Sequence, residues 1–149
     1  MIKINGARGA VLLGFGGMSV VFGLAYLPTP ISIIPPIPLG LGLIDSLIPL
    51  GYWGGLWFLI GLYLIFGAFR QDQSRAMALF AGMCAVWGLS YTWAWITGMV
   101  EHNPASSRLW VASTVYLSFL VACIGISRLV NAPVQRVREL IAEIEEGNH

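Results

Sequence analysis

Charged residues are scarce in this chain of 149 residues, and long segments have none. Lys, Arg, Asp and Glu together make up 10% of the sequence, whereas a soluble domain typically carries about 25%. With 57% hydrophobic residues, too little polar surface remains to cover a water-soluble fold. The net charge of +1 provides no basic field for nucleic acid, so we expect no nucleic-acid partner.

Catalytic and metal-binding motifs are also missing. The sequence contains no HExxH, CxxC or GxxxxGK[ST] pattern, no Ser/His/Asp set and no paired carboxylates within an apolar stretch. Glu101 and His102 are the one adjacent acid and imidazole, and a short polar turn between helices explains them without a catalytic role. We therefore expect no enzymatic activity, no cofactor and no metal.

Four long apolar stretches contain no acid, base or histidine. They cover about residues 10–27, 52–69, 76–100 and 109–126. An α-helix needs about 20 apolar residues to cross the ~30 Å hydrocarbon core of a bilayer, and each stretch is close to that length. The sequence therefore predicts an all-α integral membrane protein, with a four-helix transmembrane bundle as a single four-span domain over residues 1–149.

The distribution of cations predicts how the spans are oriented. One side of a four-span arrangement receives seven of the eight Lys and Arg residues: Lys3, Arg8, Arg70, Arg75, Arg128, Arg136 and Arg138. The other side receives only Arg108. The positive-inside rule then places both termini in the cytoplasm, in a multi-pass protein of a bacterial or host cytoplasmic membrane.

Tryptophan placement favours the same orientation. The predicted outer ends of the spans carry Trp53, Trp57, Trp93, Trp95 and Trp110, where amphipathic rings prefer the headgroup interface. Trp87 alone is expected near the midplane.

The first span has a rival interpretation as a signal peptide. Lys3 and Arg8 precede an apolar run, and residues 23–25 form a small-x-small cleavage pattern. Cleavage would leave three spans and an external N-terminus. The small residues of this segment instead suit a retained helix that packs closely against its neighbours: Gly14, Gly16, Gly17, Ser19 and Gly23.

Small residues recur at helical spacing in all four spans. The predicted helix-packing positions are Gly14, Gly23, Gly54, Gly61, Ala81, Ala85, Gly88 and Ala122. Such residues let helix backbones approach closely, which drives association within lipid. They either pack one monomeric bundle or extend to homo-oligomer formation, and the sequence leaves both open.

The segment over residues 28–50 joins the first two spans and is rich in both proline and isoleucine. Its prolines oppose helix as far as Pro38, after which residues 39–50 favour a short helix with Asp45 and Ser46 turned to water. The segment is interpreted as a linker covering the outer mouth of the bundle; a re-entrant plug or a partner-binding surface is the alternative.

The C-terminal tail has the pattern of an amphipathic helix over about residues 133–146. Asn131 suits its N-cap, and Pro133 suits its first turn. Arg136 and Arg138, together with Arg128, are predicted to meet anionic headgroups at the cytoplasmic membrane surface. Lipid bilayer is thus the predicted partner of this tail, and a short oligomerising or partner-binding helix is the alternative.

The order of several short motifs resembles that of a known class of proteins. The chain combines a short basic N-terminus and a Gly-rich span with AYLP (residues 25–28), GGLWFLIGL (54–62), WGLSYTWAW (87–95) and a charged tail. This order resembles small four-span membrane proteins of actinobacterial phages and prophages, some of them holin-like. The resemblance implies a protein that associates in the cytoplasmic membrane and permits permeabilisation. A membrane interaction protein that forms no pore, such as a superinfection-exclusion factor or assembly adaptor, is the alternative.

The predicted orientation can be tested with topology reporters. Fusions after Ser74 and at His149 should read as cytoplasmic, and a fusion near Asn103 should read as external, because the cations favour the cytoplasmic side. An external C-terminus would overturn the assignment.

Overall fold

The computed structural model describes residues 6–27, 37–70 and 73–146, with side chains placed as far as residue 128. Within these ranges all regular structure is helical, which confirms the all-α class that the sequence predicts. The helices are α1 (Gly6–Tyr26), α2 (Gly42–Leu47), α3 (Leu50–Gly67), α4 (Ser74–Val100) and α5 (Leu109–Glu146). Short 3-10 turns, Leu39–Leu41 and Pro104–Ser106, lie ahead of α2 and α5.

Four of these helical segments are long and apolar enough to cross a membrane. They are Gly6–Tyr26, Leu50–Gly67, Ser74–Val100 and Pro104–Arg128. Within the most apolar 18 residues of each segment, the buried share reaches 44% in α4 and falls to 11% in the last. Most of this apolar surface therefore faces outward, as expected of a multi-pass membrane protein and not of a soluble bundle.

The helices associate as two antiparallel pairs. In the first, α1 packs on α3, with Gly16 beside Gly61 near one end and Gly23 beside Phe58 further along. In the second, α4 packs on α5. Arg70, Arg75 and Arg128 lie at one end of the bundle, termed the arginine end. The exposed Trp93 and Trp110 lie toward the other, termed the tryptophan end.

A layer of aromatic side chains joins the two pairs. Phe15 of α1 stacks on Phe80 of α4 with ring centroids 4.5 Å apart. Trp57 of α3 meets Trp87 of α4 edge to face at 5.4 Å. Edge-to-face and offset geometries add about 0.5–1.5 kcal/mol per pair beyond area burial. The rings therefore fill the space between the two pairs, while near the connecting turn Gly67 of α3 lies against Ala76 of α4.

Trp57 corrects one sequence-based expectation. Its predicted place was the membrane interface, but its side chain is 0% exposed and lies in the core. The inward face of α3 repeats at helical spacing through Gly54, Trp57, Gly61 and Leu64, and Trp57 falls on that face. Its ring lies 5.4 Å from that of Trp87, the residue expected near the midplane, so the depth of Trp57 and the direction of its side chain both differ from the prediction.

Residues 37–49, termed the connecting segment, dock against α4. The Ser90 hydroxyl donates to the carbonyl oxygen of Gly40 at 2.6 Å. The Tyr91 ring covers Gly40 so closely that a Cβ there would overlap it. Leu41 is fully buried, so this segment completes the core at the tryptophan end. Residues 28–36 of the predicted 28–50 loop lie outside the described residues.

Asp45 is partly buried and Ser46 is exposed, and Asp45 has a further role that the sequence did not indicate. Its Oδ1 accepts a hydrogen bond of 2.8 Å from the backbone N–H of Leu50, the first residue of α3. A carboxylate here satisfies an otherwise unpaired helix N–H and complements the helix dipole. Asp45 therefore fixes the angle at which the connecting segment enters α3.

The C-terminal tail is continuous with the last span, which corrects the predicted break. The sequence predicted a new helix start at Asn131 and Pro133. Helix α5 instead runs through both residues and ends at Glu146. A proline inside a helix removes one hydrogen bond and costs ~3 kcal/mol. The run of good helix formers over residues 135–146 favours continuation of the helix past this point. The amphipathic character of this tail remains a prediction.

The Ser90–Gly40 hydrogen bond yields a testable prediction. Ser90→Ala should loosen the connecting segment, because losing a buried hydrogen bond costs about 1 kcal/mol and leaves the Gly40 carbonyl unsatisfied. Amide exchange over residues 37–49 of the protein in detergent would report the change. Ser118→Ala is the matched control, since the Ser118 hydroxyl lies on the exposed face of α5. Equal exchange in both variants would mean that apolar packing alone holds the segment.

Candidate functional site

The α1–α3 contact is built on glycines that bring the two backbones together. A Cβ added at Gly61 would lie 2.7 Å from the backbone N of Val20 and 2.9 Å from the carbonyl oxygen of Gly16. One added at Gly23 would lie 2.6 Å from the backbone N of Phe58. Real Cβ contacts are longer than this, so neither position accepts a side chain without separation of the helices.

Gly54 and Gly16 extend this contact toward the two ends. A Cβ at Gly54 would lie 2.9 Å from the backbone of Tyr26. One at Gly16 would lie 2.7 Å from the Ile65 side chain. Gly16 is one of the small residues that suited the first span to close helix packing, and its seven-residue spacing to Gly23 repeats that of Gly54 and Gly61.

The α4–α5 contact combines close packing with buried hydroxyl groups. Gly88 lies against the Leu117 side chain, 2.8 Å from where a Cβ would be. Thr92 and Ser113 hydroxyls are 2.6 Å apart, and Ser113 also donates to the Gly88 carbonyl at 3.1 Å. In a bilayer these bonds keep polar groups away from hydrocarbon while joining the two helices.

The remaining predicted packing residues divide between inside and outside. Ala81 and Ala85 are partly buried on α4. Gly14 is exposed, and a Cβ there would meet no described atom within 4 Å. Ala122 is likewise exposed on α5. Gly14 and Ala122 therefore lie outside the packed interior of this chain.

Two outward faces carry several small or hydroxyl-bearing residues. On α5 a groove of about 470 Å³ is lined by Thr114, Ser118 and Ala122, which are spaced four residues apart, and by Leu117 and Val121. On α1 the exposed positions include Ala10, Gly14 and Gly17. Because small side chains at helical spacing let another helix approach closely, these two faces are the candidate association surface of the protein.

Two buried indole groups lie at the centre of the bundle. The Nε1 atoms of Trp57 and Trp87 are inaccessible, and neither donates a hydrogen bond to a residue that the structure describes. Trp53 and Trp57 both meet the Trp87 ring edge to face at 5.4 Å. Edge-to-face ring contacts offset part of the cost of burying such donors.

The arginine end presents a second chemically distinct surface. Arg75 and Arg128 are exposed there, whereas Arg8 is only partly exposed. The Nε atom of Arg8 is buried and has no hydrogen-bond partner within the described ranges. The turn between α3 and α4 is closed by Gln73, whose amide donates to the carbonyls of Ala68 and Arg70. The side chains of Arg136 and Arg138 lie outside the described residues.

No reactive cluster occurs in the part of the chain that the structure describes. No three His, Cys, Asp or Glu side chains there are grouped so that they could hold a metal ion. Glu101 and His102 are exposed in the turn after α4, and His102 has a φ of 54°. The Asn103 N–H donates to the Gly98 carbonyl at 2.9 Å, so these residues close the end of α4 as a turn does.

The glycine contacts predict a sharp difference between two substitutions in the same helix pair. Gly61→Leu should lower the unfolding free energy by about 3 kcal/mol or more, because it forces backbone separation. Gly14→Leu, which meets open space, should leave it almost unchanged. Thermal unfolding in one detergent measures both, and equal melting temperatures would show that the α1–α3 contact is not close.

Comparisons with known proteins provide no relative from which function could be transferred. No family model matches the chain, no curated protein matches it, and no solved structure matches it. Its function has to be inferred from the surfaces described above.

Proposed function

We propose that this chain is a holin-like membrane protein of a phage or prophage, which acts by association of its helices in the cytoplasmic membrane. The observation that carries the proposal is the pair of small-residue faces left outside the bundle. Gly14 and Gly17 on α1, and Thr114, Ser118 and Ala122 on α5, are exposed although each is small enough for close helix contact.

Association through these faces follows from the physics of lipid. Hydrocarbon tails are as apolar as Leu, so helices gain little by hiding apolar surface from lipid. They associate through close dispersion contact and interhelical hydrogen bonds, which small and hydroxyl residues permit. The Thr114 hydroxyl already donates to the Trp110 carbonyl at 2.8 Å, whereas Ser118 is the hydroxyl available for a second copy.

The proposed orientation places the arginine end in the cytoplasm. Seven of eight cations belong to that side of the sequence, which favours cytoplasmic N- and C-termini. The continuous α5 helix would then extend from the membrane into the cytoplasm beyond Arg128. A C-terminal extension of this kind suits regulation of assembly by charge, since Arg136 and Arg138 precede an acidic end.

A mechanism by association needs no catalytic group. The four apolar stretches carry no acid, base or histidine, and such groups mark most ion pathways and proton relays within membranes. Permeabilisation would instead arise when many copies associate through these faces and the resulting assembly disrupts the bilayer. The resemblance to small four-span phage proteins supports the same assignment.

A second candidate function is a membrane interaction protein that forms no pore. The connecting segment favours it, because large apolar side chains are exposed there: Ile37, Leu39, Leu43, Leu47 and Ile48. Leu47 is 73% exposed. An exposed apolar patch of this kind suits a protein partner at the membrane surface.

Overexpression in a bacterial host tests the leading proposal. A holin-like protein should collapse the membrane potential abruptly once its density in the membrane is high. Replacing both Gly14 and Ser118 with Leu should delay or abolish the collapse, since it blocks close approach without touching the interior. Gly82→Leu is the control and should behave as the natural chain does, because Gly82 is exposed on α4, away from both faces, and a Cβ there would meet nothing within 4 Å. High expression with an intact potential would favour the interaction protein instead.

A further pair of substitutions separates association from enzyme or transporter mechanisms. Glu101→Gln with His102→Gln should change growth arrest and potential loss little, because the two residues only close a turn. The same potential-sensitive dye assay measures this. Complete loss of activity, at an expression level equal to that of the natural chain, would point to acid–base or ion-coupled chemistry.

A further inference from the structure

A groove between α4 and α5 opens at the arginine end of the bundle. It has a volume of about 380 Å³. Its walls include Met77, Ala81 and Ile124, and its mouth carries Ser127 and Arg128. Ala81 lies seven residues after the start of α4, so the groove extends about 10 Å along the helix axis at ~1.5 Å per residue. One end is therefore apolar and the other cationic.

Small side chains create this space. Ala78 and Ala81 lie one turn apart on α4, and the 1% exposed Cys123 lies between the two helices. Larger residues at these positions would fill the groove. The groove therefore exists because these positions carry small side chains, and it lies where the span approaches the membrane surface.

Among the side chains that the structure places, the charged ones near the mouth are cationic. Arg75 and Arg128 are exposed at this end. The acidic side chains that the structure places, Asp45 and Glu101, belong to the opposite end of the bundle. A ligand that fits both the apolar walls and the cationic mouth needs an apolar chain and an anionic group at the depth of the membrane interface.

We propose that this groove is a binding site for an anionic phospholipid of the adjoining leaflet. One acyl chain lies along Met77, Ala81 and Ile124, and the phosphate lies at the Arg128 guanidinium with the Ser127 hydroxyl beside it. Arginine pairs with phosphate through two parallel hydrogen bonds, and basic pockets between membrane helices bind anionic headgroups. This inference requires only that the helices span a membrane, and it holds under either proposed function.

Native mass spectrometry of the purified full chain tests the site. The protein is released from detergent micelles that contain equal amounts of phosphatidylglycerol and phosphatidylcholine, and bound lipids are counted. The natural chain should retain phosphatidylglycerol preferentially. Arg128→Gln should lower that retention about fivefold, as expected for loss of one cation at the surface. Arg108→Gln, an exposed arginine at the other end, is the matched control and should have no effect.

A second variant tests the acyl-chain part independently of charge. Ala78→Phe should fill the groove and reduce retention of the lipid. Because Ala78 is exposed, we expect this variant to fold. Val115→Phe, at an exposed position away from the groove, is its control. Melting temperatures equal to that of the natural chain verify folding. Added inorganic phosphate should not displace the lipid, since the apolar chain contributes to binding.

Three outcomes would overturn the proposal. Equal retention of the two lipids would remove the anionic preference. Equal retention of phosphatidylglycerol by Arg128→Gln and Arg108→Gln would show that Arg128 at the mouth of the groove does not bind the headgroup. Loss of retention in a variant with Arg136→Gln and Arg138→Gln, with Arg128→Gln unaffected, would assign the lipid to the tail instead of the groove.

Discussion

Gly61 and Gly16 bring the backbones of α1 and α3 into direct contact, and the rest of the bundle is arranged around that contact. Within lipid there is no hydrophobic force to pull helices together, so stability has to come from close dispersion contact and from satisfied polar groups. A side chain at Gly61 would meet the backbone of Val20, which cannot yield as a flexible side chain does. The glycines therefore determine the separation of α1 and α3. Phe15 and Trp57 of this helix pair then pack against aromatic rings of α4.

The second pair is joined by a different means. Thr92, Ser113 and the Gly88 carbonyl form a hydrogen-bonded set between α4 and α5. Ser90 uses the same chemistry to hold the connecting segment through Gly40. These three inner hydroxyls join elements of one chain, while Thr114 and Ser118 on the outer face of α5 leave a surface suited to another helix. That division between inner and outer hydroxyls underlies the proposed association.

The two ends of the bundle are suited to different environments. The arginine end combines exposed cations with an apolar groove, which is the combination that an anionic phospholipid requires. The other end combines exposed tryptophans with the apolar surface of the connecting segment. Asp45 at that end accepts a hydrogen bond from the first residue of α3 and so holds the start of that helix in place. The protein could therefore bind a lipid at its arginine end and contact other copies or partners through its remaining surfaces at the same time.

Composition and spacing alone determined that this chain is all-helical with four apolar helices, because a long run without charge is stable only as a helix within hydrocarbon. They also identified Gly23, Gly54, Gly61 and Gly88 as small residues at helical spacing. Tertiary structure decided which small residues lie inside: Gly61 contacts a backbone, whereas Gly14 faces outward, since periodicity indicates a face but not its partner. The same limit applied to Trp57, which was expected at the membrane interface but packs against Trp87 in the core. It also applied to Pro133, where the local signal for a helix start was outweighed by a helix already in progress.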